Sequence, residues 1–463
     1  MSESSSLNIQ RREMMLNSPI SKLIPKMAIP TVVAMLITSV YSMADTYFVS
    51  FLGTSATAAV GINASIDHII MMGGSFLAIG ANSYIARLLG AKQNQKASET
   101  LSAAFFVALA MGILIAIFGL IFIEDLVVFL GATDTSLQYS IDYASYILLA
   151  APFMTCSFVL NQCLRSEGSP YYSMFGMGIG GLINIALDPL FIFTFEMGVS
   201  GAAIATAISK IIGFSILMAP YIRKKSVLRL SVKNISFSKD IVREISFMGI
   251  PSFFRILLLV IASIVLHRMA GLHSDSALAG ISVVTRIMSI PTSIALGYAQ
   301  GFMPVAGYNW GAGRFDRSKE AFKFTTISIF MFTVLLSILM IIFSREVIFI
   351  FSENDAEMLR IAKFCLITQS VVMPFSAVVM ILNMFYSALG KPIGAIVLSL
   401  ARQGYCFVLP ILILPKLCGI MGLAAVQAAA DVLSFIVAIP FIIYIVRFVD
   451  KFDNELKLAE NNE

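Results

Sequence analysis

A chain of 463 residues with 58% hydrophobic and only 13% charged residues, at a mean hydropathy of +0.88, carries more apolar surface than a water-soluble fold can bury. That excludes a soluble globular protein and leaves an all-α integral membrane protein, since helices satisfy their own backbone in hydrocarbon. The net charge of +5 comes from basic loops suited to anionic headgroups, so it does not point to nucleic acid.

Residues 1–21 form a polar, serine-rich tail. It enters the first apolar stretch without a small-residue cleavage site, so the first span is expected to stay with the chain. Stretches able to cross roughly 30 Å of hydrocarbon follow at roughly 22–47, 57–81, 98–122, 139–163, 170–194, 199–222, 248–270, 277–302, 322–345, 358–383, 391–414 and 420–446. These twelve predicted transmembrane helices divide into a first lobe at 22–222 and a second at 248–446, joined by a basic cytoplasmic linker at 223–247 and followed by a cytoplasmic tail at 447–463. The short joints at 194–199 and 414–420 force antiparallel neighbours.

The two halves carry the same punctuation about 221 residues apart. Ile29-Pro30 returns as Ile250-Pro251, Gly90-Ala91 as Gly311-Ala312, Pro152-Phe153 as Pro374-Phe375, Gly168-Ser169-Pro170 as Gly390-Lys391-Pro392, and Gly198-Val-Ser-Gly201 as Gly419-Ile-Met-Gly422. Duplication of an apolar chain on this scale predicts two pseudo-symmetric six-helix lobes, an architecture found mostly in transporters.

Loop charges set the orientation. Arg11, Arg12, Lys22, Lys26, Arg87, Lys92, Lys96, Arg314, Arg317, Lys319, Lys323 and the run from Arg223 to Arg243 share one face. Glu124, Asp125, Asp134, Glu196, Glu353, Asp355 and Glu357 occupy the other. Cations in short loops stay cytoplasmic, so both termini are expected there. The five cysteines (Cys156, Cys163, Cys365, Cys406, Cys418) lie in or beside spans with no paired spacing, so neither a zinc site nor a disulfide framework is expected.

Within the spans the exceptional residues are charged, because an ionised carboxylate in hydrocarbon must be paired, hydrated or protonated. Asp45 lies late in the first span, and Asp188 follows Asn184 by four residues, one helical turn on the same face. Pro30 and Pro189 each remove a backbone donor and can bend their spans. Asp67 is a further intramembrane acid, and neighbouring His68 points elsewhere and reads as a packed histidine. In the second half Arg255, Arg286, Arg402 and Asp431 are expected to be structural, with Arg402 and Asp431 as a buried pair. A shift of about 221 residues sets Asp45 on Leu266, Asp188 on Leu409 and Asp431 on Lys210, which concentrates ion coupling in the first lobe. Desolvation disfavours the charged carboxylate there, so protonation, or exchange of the proton for Na⁺, can switch local packing.

Asp45-Thr-Tyr in the first span, Arg165-Ser-Glu-Gly168 after the fourth, Asn184-Ile-Ala-Leu-Asp188-Pro189 in the fifth and Gly201-Ala-Ala-Ile-Ala-Thr206 in the sixth resemble the MATE multidrug and toxic compound extrusion family, in its DinF-like and MepA-like bacterial branch. The resemblance covers roughly residues 20–446. It implies two lobes set as a V around a central cavity, with Asp45 and Asp188 as coupling carboxylates, Asn161, Asn184 and Thr206 supplying neutral oxygens or hydrogen bonds, and Pro30 as the hinge of the first helix. Na⁺ held by Asp45, Asp188, Asn184, Asn161 and Thr206, or a proton held by the same group, fits that set equally, because oxygen ligands suit a hard cation. Some family members carry an acid in the seventh span; here that span reads Phe253-Phe254-Arg255.

The 25 methionines and 36 phenylalanines supply adaptable walls for aromatic or cationic guests, with Tyr139, Phe153, Met174, Met177 and Met288 expected at the substrate cavity. The expected function is cation-coupled (H⁺ and/or Na⁺) export of amphipathic, mostly cationic compounds by alternating access in the bacterial cytoplasmic membrane. A lipid-linked oligosaccharide or other lipid flippase is the alternative, disfavoured by the first-lobe acids. No catalytic or phosphate-loop motif occurs, so neither an enzyme nor direct ATP coupling is expected. The expected partners are small organic cations or amphipathic drugs and membrane lipids, and the expected state is a monomer with no cofactor besides the coupling ion.

Overall fold

A computed structural model describes residues 3–352 and 355–460, so Glu353 of the acidic face lies outside the described residues. Among the latter the secondary structure is entirely helical. In chain order the helices are α1 (Glu3–Asn17), α2 (Ile20–Ser50), α3 (Thr54–Gly90), α4 (Asn94–Ile121), α5 (Ile123–Phe129), α6 (Leu137–Ser166), α7 (Pro170–Pro189) and α8 (Gly198–Ile222) in the first half. The second half holds α9 (Lys239–Gly271), α10 (Asp275–Gly311), α11 (Phe315–Ile342), α12 (Ser344–Ser352), α13 (Ala356–Ala388), α14 (Pro392–Leu400) and α15 (Cys406–Glu460). Single π turns at Leu190–Thr194 and Ala401–Tyr405 extend α7 and α14.

Eleven helical runs among the described residues are long and apolar enough to cross a membrane, and the last, Pro392–Leu456, is 65 residues long. Gly419 breaks that run with φ 56° and ψ −138°, which only glycine adopts without strain, and the break makes twelve spans.

The repeated punctuation is a repeated set of left-handed turns. Gly168 (φ 76°) matches Gly390 (φ 71°), Gly198 (φ 57°) matches Gly419 (φ 56°), and Lys92 (φ 63°) matches Gly313 (φ 74°). A left-handed residue ends a helix and reverses the chain. The short helices α5 and α12, which hydropathy did not mark as separate elements, are also counterparts under the same shift.

Helices overrun the apolar stretches wherever the chain continues past hydrocarbon. α3 reaches Gly90, α10 reaches Gly311, and α9 starts at Lys239 inside the expected linker. Hydropathy reports membrane thickness, whereas the backbone ladder continues until a cap stops it. At α13 that cap is Asp355, whose carboxylate accepts from the Glu357 and Met358 amides at 2.9 and 3.0 Å and from Ser276 Oγ at 2.5 Å. The Ser276 hydroxyl and those amides hold the Asp355 carboxyl below the usual range.

The chain forms two compact units, one of Ser18 and the residues before it with Ile29–Phe253, the other of Pro19–Ala28 with Phe254 onward. These boundaries differ from those expected at 222 and 248. The start of α9 groups with the first unit because glycines bring it onto α3: a Cβ on Gly80 would collide with the Ile245 carbonyl, and one on Gly249 with that of Phe76.

At one end of the first unit, the buried Glu167 collects four donors. Its carboxylate accepts from Ser226 Oγ at 2.6 Å, Val227 N at 2.8 Å, Tyr221 Oη at 3.1 Å and Arg11 Nη1 at 3.4 Å. Burial pushes this carboxyl up from the ordinary glutamate value, against the pull of Arg11 and the hydrogen bonds. Through these bonds α1 and the linker are fastened to the turn between α6 and α7. The second unit is built around stacked Phe322 and Phe385 with Phe302, and around Trp310 with Phe315, Phe448 and Phe452.

Candidate functional site in the first lobe

On α7, Gly176, Gly180, Asn184 and Asp188 recur every fourth residue and therefore share one face. The glycines let α8 come close: a Cβ on Gly180 would lie 3.0 Å from the Ser209 carbonyl oxygen, and one on Gly213 would lie 2.9 Å from that of Gly176. Small residues at such crossings replace the hydrophobic drive that lipid cannot supply. The contact carries the polar end of the same face onto α8, where Asn184 Nδ2 donates to Thr206 Oγ1 at 3.2 Å and to Asp188 Oδ1 at 3.1 Å.

α2 approaches the same helix through another pair of glycines. A Cβ on Gly178 would lie 3.1 Å from Ile37, and one on Gly181 would lie 2.9 Å from the Tyr41 ring. Ile37, Tyr41 and Asp45 are successive turns of one α2 face, so the Tyr41 packing directs Asp45 toward α7. From α6, Tyr143 Oη donates to Asp45 Oδ2 at 3.3 Å; it also stands near Thr206 and under the charge of Asp45, Asp67 and Asp188. Asp45 and Asp188 act on each other electrostatically. Four helices thus bring Asp45, Tyr143, Asn184, Asp188 and Thr206 into one buried cluster.

The cluster holds more acceptors than donors. Asp45 Oδ1, Asp188 Oδ2 and Asn184 Oδ1 are buried and have no hydrogen-bond partner among the described residues. Buried polar atoms are otherwise nearly always paired, so three such oxygens in one cluster are an exception among the described residues.

Nearby, Lys210 of α8 donates from Nζ to Tyr41 Oη at 2.5 Å and lies 4.9 Å from the centre of that ring. Its charge acts on Asp67 and Asp45. Asp67 keeps a buried Oδ1 without a hydrogen-bond partner among the described residues, while His68 is occupied by the Ala64 carbonyl at 2.6 Å.

Asn161, expected among the coupling ligands, is engaged elsewhere. Its Oδ1 accepts from Arg165 and its Nδ2 donates to the Ser173 carbonyl at 3.3 Å, because the fully buried Arg165 needs an acceptor one turn away. Pro30 is buried in an α2 that stays helical through it. Of the expected cavity residues, Phe153 packs edge-on against Phe214 at 5.4 Å, Met177 lies 3.8 Å from Arg165, Met174 is half-buried and Tyr139 is exposed. Met288 packs on the core of the second unit instead.

In that unit Arg402 Nε and Nη2 donate to Asp431 Oδ1 and Oδ2 at 2.6 and 3.2 Å, a two-pronged pair. Arg286 is exposed and makes no ion pair among the described residues, and Arg255 is half-buried. Tyr143 went unmarked in the sequence, and Lys210 was read only as the counterpart of Asp431. A lysine inside an apolar span was a readable signal, whereas a tyrosine in a span is ordinary.

Among known proteins, the multidrug export protein MepA of Staphylococcus haemolyticus is 28% identical over 431 residues, 93% of this chain and 94% of that protein. MepA of Staphylococcus aureus strain MSSA476 is 27% identical over 431 residues, 93% and 95% of the two chains. A solved MATE structure in complex with MaL6 superposes with a TM-score of 0.90 at 24% identity, over 95% of this chain and 99% of that one, a likeness of fold. The MatE family model matches residues 30–190 and 251–410, both copies of the internal repeat, and on that match the chain belongs to the MatE family, the multidrug and toxic compound extrusion transporters.

Proposed function

We propose that the chain is a cation-coupled antiporter exporting amphipathic, mostly cationic organic compounds across the bacterial cytoplasmic membrane, as a monomer with both termini in the cytoplasm. Relatives named as multidrug export proteins support the substrate class. Coupling rests on the unpartnered oxygens of Asp45, Asp188 and Asn184. Two buried carboxylates that act on each other repel when both are ionised, so taking up H⁺ or Na⁺ relieves the repulsion and lets α2 and α7 pack more closely. Release of the cation restores the repulsion. Substrate and cation thereby favour different arrangements of the same helices, as exchange by alternating access requires.

The test is transport by purified protein in liposomes under separately imposed H⁺ and Na⁺ gradients. Uphill export is expected with at least one, and the effective gradient names the ion. Asp45→Asn and Asp188→Asn are expected to fold, insert and bind substrate yet lose concentrative export. Export driven by neither gradient, or retained in both variants, would reject the assignment.

A further inference from the structure

Arg255 lies on α9 (Lys239–Gly271), seven residues inside the apolar stretch 248–270 and so about 10 Å of helix from its nearer edge. An arginine within hydrocarbon needs a counter-charge, a water-filled cavity or a reach of its side chain to the interface. Arg255 is half-buried and has no hydrogen-bond or carboxylate partner among the described residues.

What faces it is another cation. Leu258, one turn beyond Arg255, approaches the π turn Ala401–Tyr405 so closely that a Cβ on Gly404 would lie 3.2 Å from Leu258 Cδ1. Ala262, one turn further, joins Phe407 and Ile411 in one buried cluster. The face carrying Arg255 therefore looks at the turn that carries Arg402, and the charge of Arg402 acts on Arg255. Asp431 is already committed: both oxygens accept from Arg402, and Gln427 Nε2 adds a third bond at 3.2 Å. Two guanidinium groups and one carboxylate leave one positive charge over. Arg402 uses two of its five donors on Asp431, and the other three and all five of Arg255 remain for a ligand. A π turn at this place fits, since such turns gather at functional sites.

We propose that Arg255 and Arg402 form a binding subsite for an anionic group, a carboxylate or phosphate borne by an amphipathic molecule. The inference rests on the export reading and deepens it: the second lobe admits zwitterionic and acidic compounds alongside cationic ones. Arginine suits the task, because its planar fork takes either group through two parallel hydrogen bonds.

The matched dyes rhodamine 110, which has a free carboxylate, and rhodamine 123, its methyl ester, separate this from general dye binding. Binding to the full chain in phosphatidylcholine nanodiscs is read by fluorescence polarisation. Arg255→Gln is expected to weaken rhodamine 110 by about tenfold, the scale of one lost charge-assisted contact, and to leave rhodamine 123 within about twofold. Arg255→Lys should fall between. Thermal stability of Arg255→Gln should match or exceed wild type, since no internal bond is lost; a fall would assign Arg255 a structural role and overturn the proposal. Titrating phosphatidylglycerol into the nanodiscs distinguishes the source of the anion. Displacement of rhodamine 110 by this lipid, abolished in Arg255→Gln, assigns the subsite to a headgroup phosphate, and no displacement assigns it to a substrate carboxylate. Wild-type protein that binds rhodamine 123 but not rhodamine 110 overturns the subsite and leaves the export reading standing, whereas binding of neither overturns both.

Discussion

Tyr143 ties α6 to the first-lobe cluster, donating to Asp45 and standing near Thr206. Phenylalanine at this position removes one donor from a carboxylate that has no other among the described residues, while keeping the ring that fills the core with Ala144, Ile147 and Ile192. A hydrogen bond of this kind is worth about 0.5–1.5 kcal/mol, so Tyr143→Phe is expected to change the cation concentration for half-maximal transport by about three- to tenfold, with little change in thermal stability. Transport kinetics across a cation titration reads the first, and a melting curve in detergent reads the second. An unchanged titration would remove Tyr143 from the coupling group. The acids themselves were legible because hydropathy makes a buried charge conspicuous, and the spacing of Asn184 and Asp188 placed them on one face. The engagement of Asn161 by Arg165 was not legible, since it depends on which way a buried arginine folds back along its own helix.

At the scale of elements, the site depends on how closely α7 and α8 cross. Gly213 permits that approach, with room for less than a Cβ before the Gly176 carbonyl. Gly213→Val would force the helices apart, an overpacking that costs roughly 1–3 kcal/mol, and would stretch the Asn184–Thr206 hydrogen bond, which lies about two turns along α8 from Gly213. The expected result is a lower melting temperature and loss of cation-dependent transport, with Gly213→Ala intermediate; a valine variant that transports normally would show that the helices need not cross so tightly. The same glycines explain what the sequence could and could not disclose. Twelve spans and their duplication were readable from apolar length and from left-handed turn residues. Helix ends beyond the hydrocarbon were not, because Lys239 to Phe247 is polar enough to read as linker yet is helical and packs on α3 through Ile245.

For the whole molecule the informative helix is α2, the single 31-residue helix Ile20–Ser50. Its residues up to Ala28 group with the second compact unit, and those from Ile29 onward group with the first. Pro30 falls two residues after that change. Lacking an N–H, proline leaves the Lys26 carbonyl without its intrahelical donor and lowers the cost of bending at that turn. A bend there would alter the direction of Asp45, which lies beyond Pro30 on the same helix, so cation binding and the arrangement of the units can be linked through one element. Pro30→Ala restores the missing bond and stiffens the turn. The expected consequence is turnover slowed by about tenfold or more with substrate affinity within about twofold of wild type, as for a gating rather than a binding residue. Pro25→Ala serves as the control, because Pro25 lies wholly within the segment that groups with the second unit and should leave turnover nearly unchanged. Equal slowing by the two substitutions would point to general stiffening of α2, and unchanged turnover in Pro30→Ala would place the moving joint elsewhere.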